Sequence, residues 1–335
     1  MNSEVLAKVV RGETLESLHR GHLIIVDGNG ETLAQIGNPE TVTFMRSSAK
    51  PFQVLPFLLS GGAEHFNFTD DEIALACGSH SGEDVHVNTA AKMLGKCGLA
   101  ELDLRCGCHL PFSEQVTNAM IKSGEKPNQL HNNCSGKHSA MLAFCKFINA
   151  DLTNYEDFNH PIQLQILEIV RQLCDYEDVK LAVDGCAAPN FAVPISAMAK
   201  GFAKLVFPPK TFDEKLKNAC NRIVSAMTNF PQNVGGTERL DTLIMQELKG
   251  QIICKIGAEG VWLAGILPSE KYKHGLGIAF KIEDGDDKRA RAVVAIELLR
   301  QLELLDNKQL AKFSPLEMTN RRGDIVGQIE ASFKM

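Results

Sequence analysis

Strand patterns stand at the two ends of this chain and helical patterns lie between them, an order that few folds can satisfy. Near the amino end, "LIIVDGNGETLAQIG" (23–37) runs from an apolar block through a DGNG turn into an alternating segment, which reads as a β-hairpin. "VTFM" adds a short strand. In the last third, "QIICKIG", "VWLAGILP" and "GLGIAFKIE" read as strands, followed by a helix over 287–305. Between these ends, Thr69 and Glu72 form a capping box before "IALACG", and Ser81 with Asp84 is placed to form a second before "VHVNTAAKML". "GKHSAMLAFCKFINA" and "PIQLQILEIVRQLC" space their apolar residues as helices do, with Pro161 suited to a first turn. Two further amphipathic helices fall around 212–227 and 238–248. The expectation is one domain over 1–335, with a sheet assembled from about 1–60 and 250–335 and a mainly helical part over about 61–249.

Composition removes several function classes. No run of about eighteen uncharged apolar residues occurs, so no membrane-spanning helix is expected. The amino terminus mixes both charge signs and lacks the pattern of a secretory signal, which predicts a cytoplasmic protein. The ten cysteines are scattered from Cys77 to Cys254, mostly inside apolar segments, as reduced cysteines are. A net charge of -6 without a basic cluster recommends neither nucleic acid nor an anionic membrane as partner. A small polar molecule fits better. Gly28 and Gly30 precede a strand and not a helix, so they are no dinucleotide loop.

The chemistry concentrates in a few strings. In "MRSSAKPFQVLPFLLSGG", Ser47 and Lys50 stand three apart, so on a helix the amine reaches the hydroxyl. A serine becomes a nucleophile when a base takes its proton, and a lysine serves only if burial brings its pKa down from about 10.4. The apolar run supplies that burial, and free N–H groups at a helix start favour a developing anion. "CGSHSGE" offers Ser79 and Ser81 on a glycine-flanked loop, and "CKIGAEG" offers Lys255 inside a strand. Their order follows the layout of serine hydrolases that carry S-x-x-K, a second serine motif and a strand lysine. A surface lysine in a first turn and an edge-strand lysine are the plainer alternatives. "HNNCSGKHSAM" packs Cys134, Lys137 and His138 together, and "VDGCAAPNF" brings Asp184 and Cys186 to a turn. "CGCHL" (Cys106, Cys108, His109) offers metal-binding groups, but loop packing is the preferred reading. Neither a C-x-x-C pair nor H-E-x-x-H is present, so no spacing rule points to zinc.

Taken together, "RGETLESLHRGH", "MRSSAKPFQ", "ACGSHSGE", "NNCSGKHSAM", "DGCAAP" and "KIGAEGV" resemble the Rhizobium-etli-type, or class 3, L-asparaginases over nearly the whole chain. Ser139 and Ala140 stand where that family suggests alanine and glycine, and Ala187 where it suggests glycine. The resemblance implies an α/β (α+β) fold similar to serine β-lactamases and glutaminases, with an antiparallel sheet flanked by helices. It also implies a homodimer and hydrolysis of L-asparagine to L-aspartate and ammonia. Two serine–lysine tandems are implied, Ser47 with Lys50 and Ser79 with Lys255. Zinc is implied at Cys134, Lys137 and Cys186, one ion per subunit, in a supporting role. Ser47 is taken as the attacking group, and Arg46, His138 and Glu83 as candidates for holding the substrate. A zinc-dependent amidohydrolase and a non-enzymatic amino-acid sensor are the competing readings.

Overall fold

The computed structural model describes residues 2–313 and 316–335. In chain order its strands are β1 (Glu4–Arg11), β2 (Thr14–Asp27), β3 (Thr32–Ile36), β4 (Val42–Phe44), β5 (Lys180–Val183), β6 (Pro189–Pro194), β7 (Ile252–Gly257), β8 (Val261–Ile266), β9 (Leu276–Ile282), β10 (Leu316–Thr319) and β11 (Ile325–Ala331). The main sheet runs β10-β11-β1-β2-β9-β8-β7, with β3 also on β2, and every pairing is antiparallel. Both ends of the chain therefore build one sheet, as the sequence order implies. The 23–37 hairpin is present, with Leu23 opposite Ile36. Its first strand is longer than the apolar run suggests, because β2 continues back to Thr14 and pairs with β1.

The middle region is not wholly helical. β4, β6 and β5 form a second, three-stranded antiparallel sheet. Its role is positional: β4 leads into the 46–50 turn, and β6 follows the loop that carries Asp184 and Cys186.

Strands β7 and β8 are buried along their whole lengths, consistent with helices covering the sheet. The helix Ile195–Val206 packs on β9 and β8, and it approaches very closely at Gly277. A Cβ there would sit 1.9 Å from the Ala199 carbonyl oxygen, so only glycine allows that contact. The helix Lys50–Ser60 packs against the helices Ser135–Phe147, Pro161–Cys174 and Glu214–Asn229. Every residue from Lys50 to Leu58 is buried, as expected for a helix that is apolar nearly all round. Pro51 sits in its first turn, where a missing N–H forfeits no helical bond. Thr69 and Glu72 form the expected capping box, with the Glu72 carboxylate accepting from the Thr69 N–H at 2.8 Å. The second cap differs from expectation. Glu83, not Ser81, stands at the N-cap of the helix Asp84–Lys96, and His86 Nδ1 accepts from the Glu83 N–H at 3.1 Å. None of the helices is long and apolar enough to cross a membrane, among the described residues.

Candidate active site

Lys50 begins its helix immediately after a tight 3-10 turn, Arg46–Ala49, so its side chain is aimed by a rigid corner. Its amine, 1% exposed, lies 2.6 Å from Gly78 O, 3.1 Å from Asn133 O and 2.9 Å from Ser79 Oγ. Burial lowers its pKa below the ordinary lysine value, and the nearby Cys134 partly offsets the effect. A neutral amine has two N–H donors and one lone pair. Two carbonyls and the Ser79 hydroxyl surround this amine, so that on losing its ammonium proton it can keep both carbonyls as acceptors and turn a lone pair to the hydroxyl.

The hydroxyl that Lys50 meets thus belongs to Ser79, 29 residues away, and not to Ser47. Ser47 lies in the 3-10 turn, half-buried, where its carbonyl accepts the Lys50 N–H and the Ser48 N–H goes to Met45 O at 3.2 Å. Those two donors are spent within the turn.

Ser79 is held by its own backbone, whose N–H donates to Val234 O at 2.8 Å. The loop carrying it is clamped to residues 232–237 through Glu83. That carboxylate accepts from Ser81 Oγ at 2.6 Å, Thr237 N at 2.8 Å, Thr237 Oγ1 at 3.0 Å and Gln232 Nε2 at 2.9 Å. With so many partners, Glu83 is occupied in holding two loops together. Gly236 makes the clamp possible, since its φ is +105° and a Cβ would fall 2.0 Å from Ser81 Oγ. Two buried histidines brace the same loop: His80 Nε2 is 2.9 Å from Ser135 Oγ, His86 Nε2 is 2.8 Å from Gln232 O, and the rings stack at 4.9 Å.

Lys255 reaches the site from β7 and is fully buried. Burial lowers it to about 8, opposed by Asp241 and reinforced by Lys50 and Arg239. Among the described residues its hydrogen-bond partners are Ile256 O at 3.1 Å and Asp241 Oδ2 at 3.5 Å, and Ser79 is not one of them. Asp241 is the residue that the sequence reading missed. Its signal would have been a lone acid opening the apolar "LDTLIM" helix.

A second buried group adjoins the first. Lys137 Nζ lies 3.0 Å from Cys186 Sγ, and Cys134 shares the cluster as a hydrogen-bonding neighbour of Cys186. The Cys134 hydrogen bond and the Lys137 charge hold Cys186 well below the usual thiol range despite burial, while Cys134 is pushed up by its bond to Cys186 and by burial. For Lys137, burial opposes the charge, but Cys186 and Cys134 outweigh it and the amine stays above its ordinary value. The residue pattern is thus an ammonium held against a thiolate. No group of three or more His, Cys, Asp and Glu side chains is arranged to hold a metal among the described residues; here a lysine stands third. His138 is fully buried beside this cluster. Its Nδ1 is 2.6 Å from Tyr155 OH, and its Nε2 has no partner among the described residues.

Arg46 joins the two groups. Its Nε donates to Asp184 Oδ1 at 2.7 Å, and its N–H to Asn190 Oδ1 at 3.0 Å. Its φ of +53°, with +69° at Ala187 and +63° at Glu259, places three non-glycine residues around the site in the left-handed region, a form of strain common at functional loops. A surface cavity of about 760 Å³ between the 27–30 turn and Lys200–Lys210 contains none of these side chains. The centre itself is closed, with Ser79 only 3% exposed.

Residues 7–331 match the family described as L-asparaginase II. The chain belongs to the L-asparaginase II family, a family of amidohydrolases. A search of curated proteins found no match. Among solved structures, it is similar to Mglu in its native form at 16% identity and a TM-score of 0.48, over 86% of this chain and 66% of the other. A probable glutaminase from Bacillus subtilis complexed with 6-diazo-5-oxo-L-norleucine aligns at 12% identity and a TM-score of 0.41, over 85% of this chain and 84% of the other. This asparaginase II chain therefore spans just under two thirds of the Mglu chain.

Proposed function

We propose that the chain hydrolyses L-asparagine to L-aspartate and ammonia through an acyl-enzyme on Ser79, with Lys50 as the base. The observation that carries this reading is the 2.9 Å contact between the Ser79 hydroxyl and a buried amine that also faces two backbone carbonyls and whose pKa is lowered by burial. Lys50 takes the hydroxyl proton as Oγ attacks the side-chain amide carbon. The Lys255 ammonium gives a proton to the leaving nitrogen, and ammonia departs. Water then attacks the ester: Lys255 recovers a proton from it, and Lys50 returns its proton to Ser79 Oγ. The cycle balances. Arg46 and Asp184, paired and opposite in charge, suit the α-carboxylate and α-ammonium of an amino acid.

Ser47 remains a second reading, favoured by its greater exposure and its place three residues before Lys50. Intact-protein mass spectrometry on Ser47→Ala and Ser79→Ala, each offered asparagine, separates the two. An acyl adduct is expected in Ser47→Ala only, and an adduct in Ser79→Ala overturns the assignment.

Cys134, Lys137 and Cys186 also suit a zinc ion, since two sulfurs, a displaceable amine proton and the unpartnered His138 Nε2 converge in one dry place. When bound, zinc would supply a fixed positive charge beside the site. Metal analysis after dialysis against zinc should return one ion per chain, lost in a Cys134→Ser, Cys186→Ser variant. A homodimer belongs to the same proposal. Light scattering that returned the mass of a single chain would remove it.

A further inference from the structure

We infer that Asp241 is the positioning residue for Lys255, the carboxylate that holds this amine in place and keeps it a proton donor. The inference rests on the role given above to Lys255 as the acid for the leaving nitrogen.

Asp241 sits in the first turn of the helix Leu240–Glu247 and is 1% exposed. Its Oδ2 accepts from the Ile256 N–H at 2.8 Å and lies 3.5 Å from Lys255 Nζ, while that amine also donates to Ile256 O at 3.1 Å. Carboxylate and amine thus grip the same residue of β7 from its N–H and its carbonyl. The amine is fixed relative to the strand. Asp241 Oδ1 has no partner among the described residues. A buried carboxylate oxygen left empty is costly in a group that serves only to staple a fold, and that makes a purely structural role a poor account.

The surroundings of Lys255 leave the task to Asp241 alone. Facing the amine are Lys50 from the helix Lys50–Ser60, Arg239 from the turn before the Asp241 helix, and Cys77 from the end of the helix Asp70–Ala76. Cys254, next to Lys255 on β7, donates to Asp241 O at 3.7 Å. Burial pushes both thiols up, so they remain neutral, and the other two groups are cations or bases. Asp241 is the one carboxyl group among these described neighbours. Burial lowers Lys255, Asp241 opposes it, Arg239 and Lys50 in its protonated form add to the lowering, and the balance falls at about 8. That value leaves the ammonium populated at neutral pH, yet ready to release its proton.

The test uses the full chain. NMR titration of the protein labelled with 13C at the lysine Cε, with the Lys255 signal assigned by its loss in Lys255→Met, gives the titration midpoint of this buried amine whether or not any amide turns over. In Asp241→Asn the midpoint is expected to fall by one pH unit or more, and in Asp241→Glu to return toward the wild-type value. The high-pH limb of kcat should move with it while KM changes less than threefold. An unmoved midpoint overturns the inference. So does a uniform loss of kcat with the shape of the pH profile unchanged. Should Asp241→Asn not fold, Lys255→Met alone and Lys255→Met with Asp241→Asn are compared: equal residual kcat is expected, and a further tenfold loss in the double variant overturns the inference. A wild type that releases no ammonia from asparagine sinks the proposed function instead, and the midpoint comparison still stands.

Discussion

Two buried lysines a short way apart are driven in opposite directions. Lys50 and Lys137 are both enclosed, at 1% and 2% exposure, and each loses the water that stabilises an ammonium. Lys50 faces two backbone carbonyls and a hydroxyl, so burial prevails and its pKa is lowered. Lys137 faces Cys186 at 3.0 Å, with Cys134 close by, and the sulfurs reverse the sign. Burial sets the size of the penalty, and the partner decides which protonation state survives. One lysine is prepared to accept a proton; the other is prepared to keep one until something displaces it.

The contrast can be broken most directly at Lys50. Lys50→Met should lower kcat for ammonia release by about 10² to 10⁴-fold, the usual range for a positioned base, with the fold retained by circular dichroism. A residual rate within tenfold of wild type would show that this amine is not the base. Lys137→Met should act first on stability. Removing one partner of a buried ion pair costs about 3 to 5 kcal/mol, read as a fall in denaturation midpoint. Full stability in that variant would mean that Cys186 simply takes up a proton, and the comparison would lose its second half.

A smaller effect follows from the histidines behind Ser79. Burial lowers both His80 and His86, which are neutral in the fold but titrate near 6.5 when unfolded. Between the depressed folded pKa and about 6.5, the unfolded chain binds more protons, so this contribution is complete above about 6.5 and is lost as pH falls below it. Stability should therefore decline by up to about 1.4 kcal/mol per pH unit for each proton taken up. Thermal melts from pH 7 to pH 5 check the sign, and replacing His86 with Gln should flatten the slope.

How much of this was legible depended on distance along the chain. The 23–37 hairpin, the Thr69–Glu72 cap and Pro161 at a helix start are local devices, and each is where the sequence places it. Strands β1, β10 and β11 went unread because their faces are half solvated and their charged residues interrupt any apolar alternation. The side chains of the candidate site were nearly all visible as strings, but their partners were not. Spacing suggests Ser47 for Lys50, whereas the fold supplies Ser79, because the 3-10 turn holds Ser47 half-exposed while Gly78 and Val234 bring the other loop over the amine. Asp241 meets Lys255 across fourteen residues and a change from helix to strand, beyond any periodic rule. Glu83 shows the same limit from the other side, since an acid in a glycine-rich string reads as a ligand group, and only the fold reveals the four hydrogen bonds by which it joins two loops.

The smallest predicted effect concerns the loop that carries Cys186. Ala187 stands at φ +69°, where a Cβ crowds the following carbonyl and costs an L-residue roughly 1 to 2 kcal/mol. Glycine removes that strain but gains freedom in the unfolded chain, worth roughly 0.5 to 1 kcal/mol against it. Ala187→Gly should therefore raise stability by about 0.5 to 1 kcal/mol, read from the urea midpoint with the slope unchanged. Because Asp184 accepts the Ala187 N–H at 2.9 Å and pairs with Arg46, relief here should leave the Arg46–Asp184 contact in place and KM nearly constant. A rise in KM together with the gain in stability would mean that the strain at Ala187 helps aim Asp184 toward substrate. The thiolate-bound lysine and the amino-acid pocket would then depend on one strained turn.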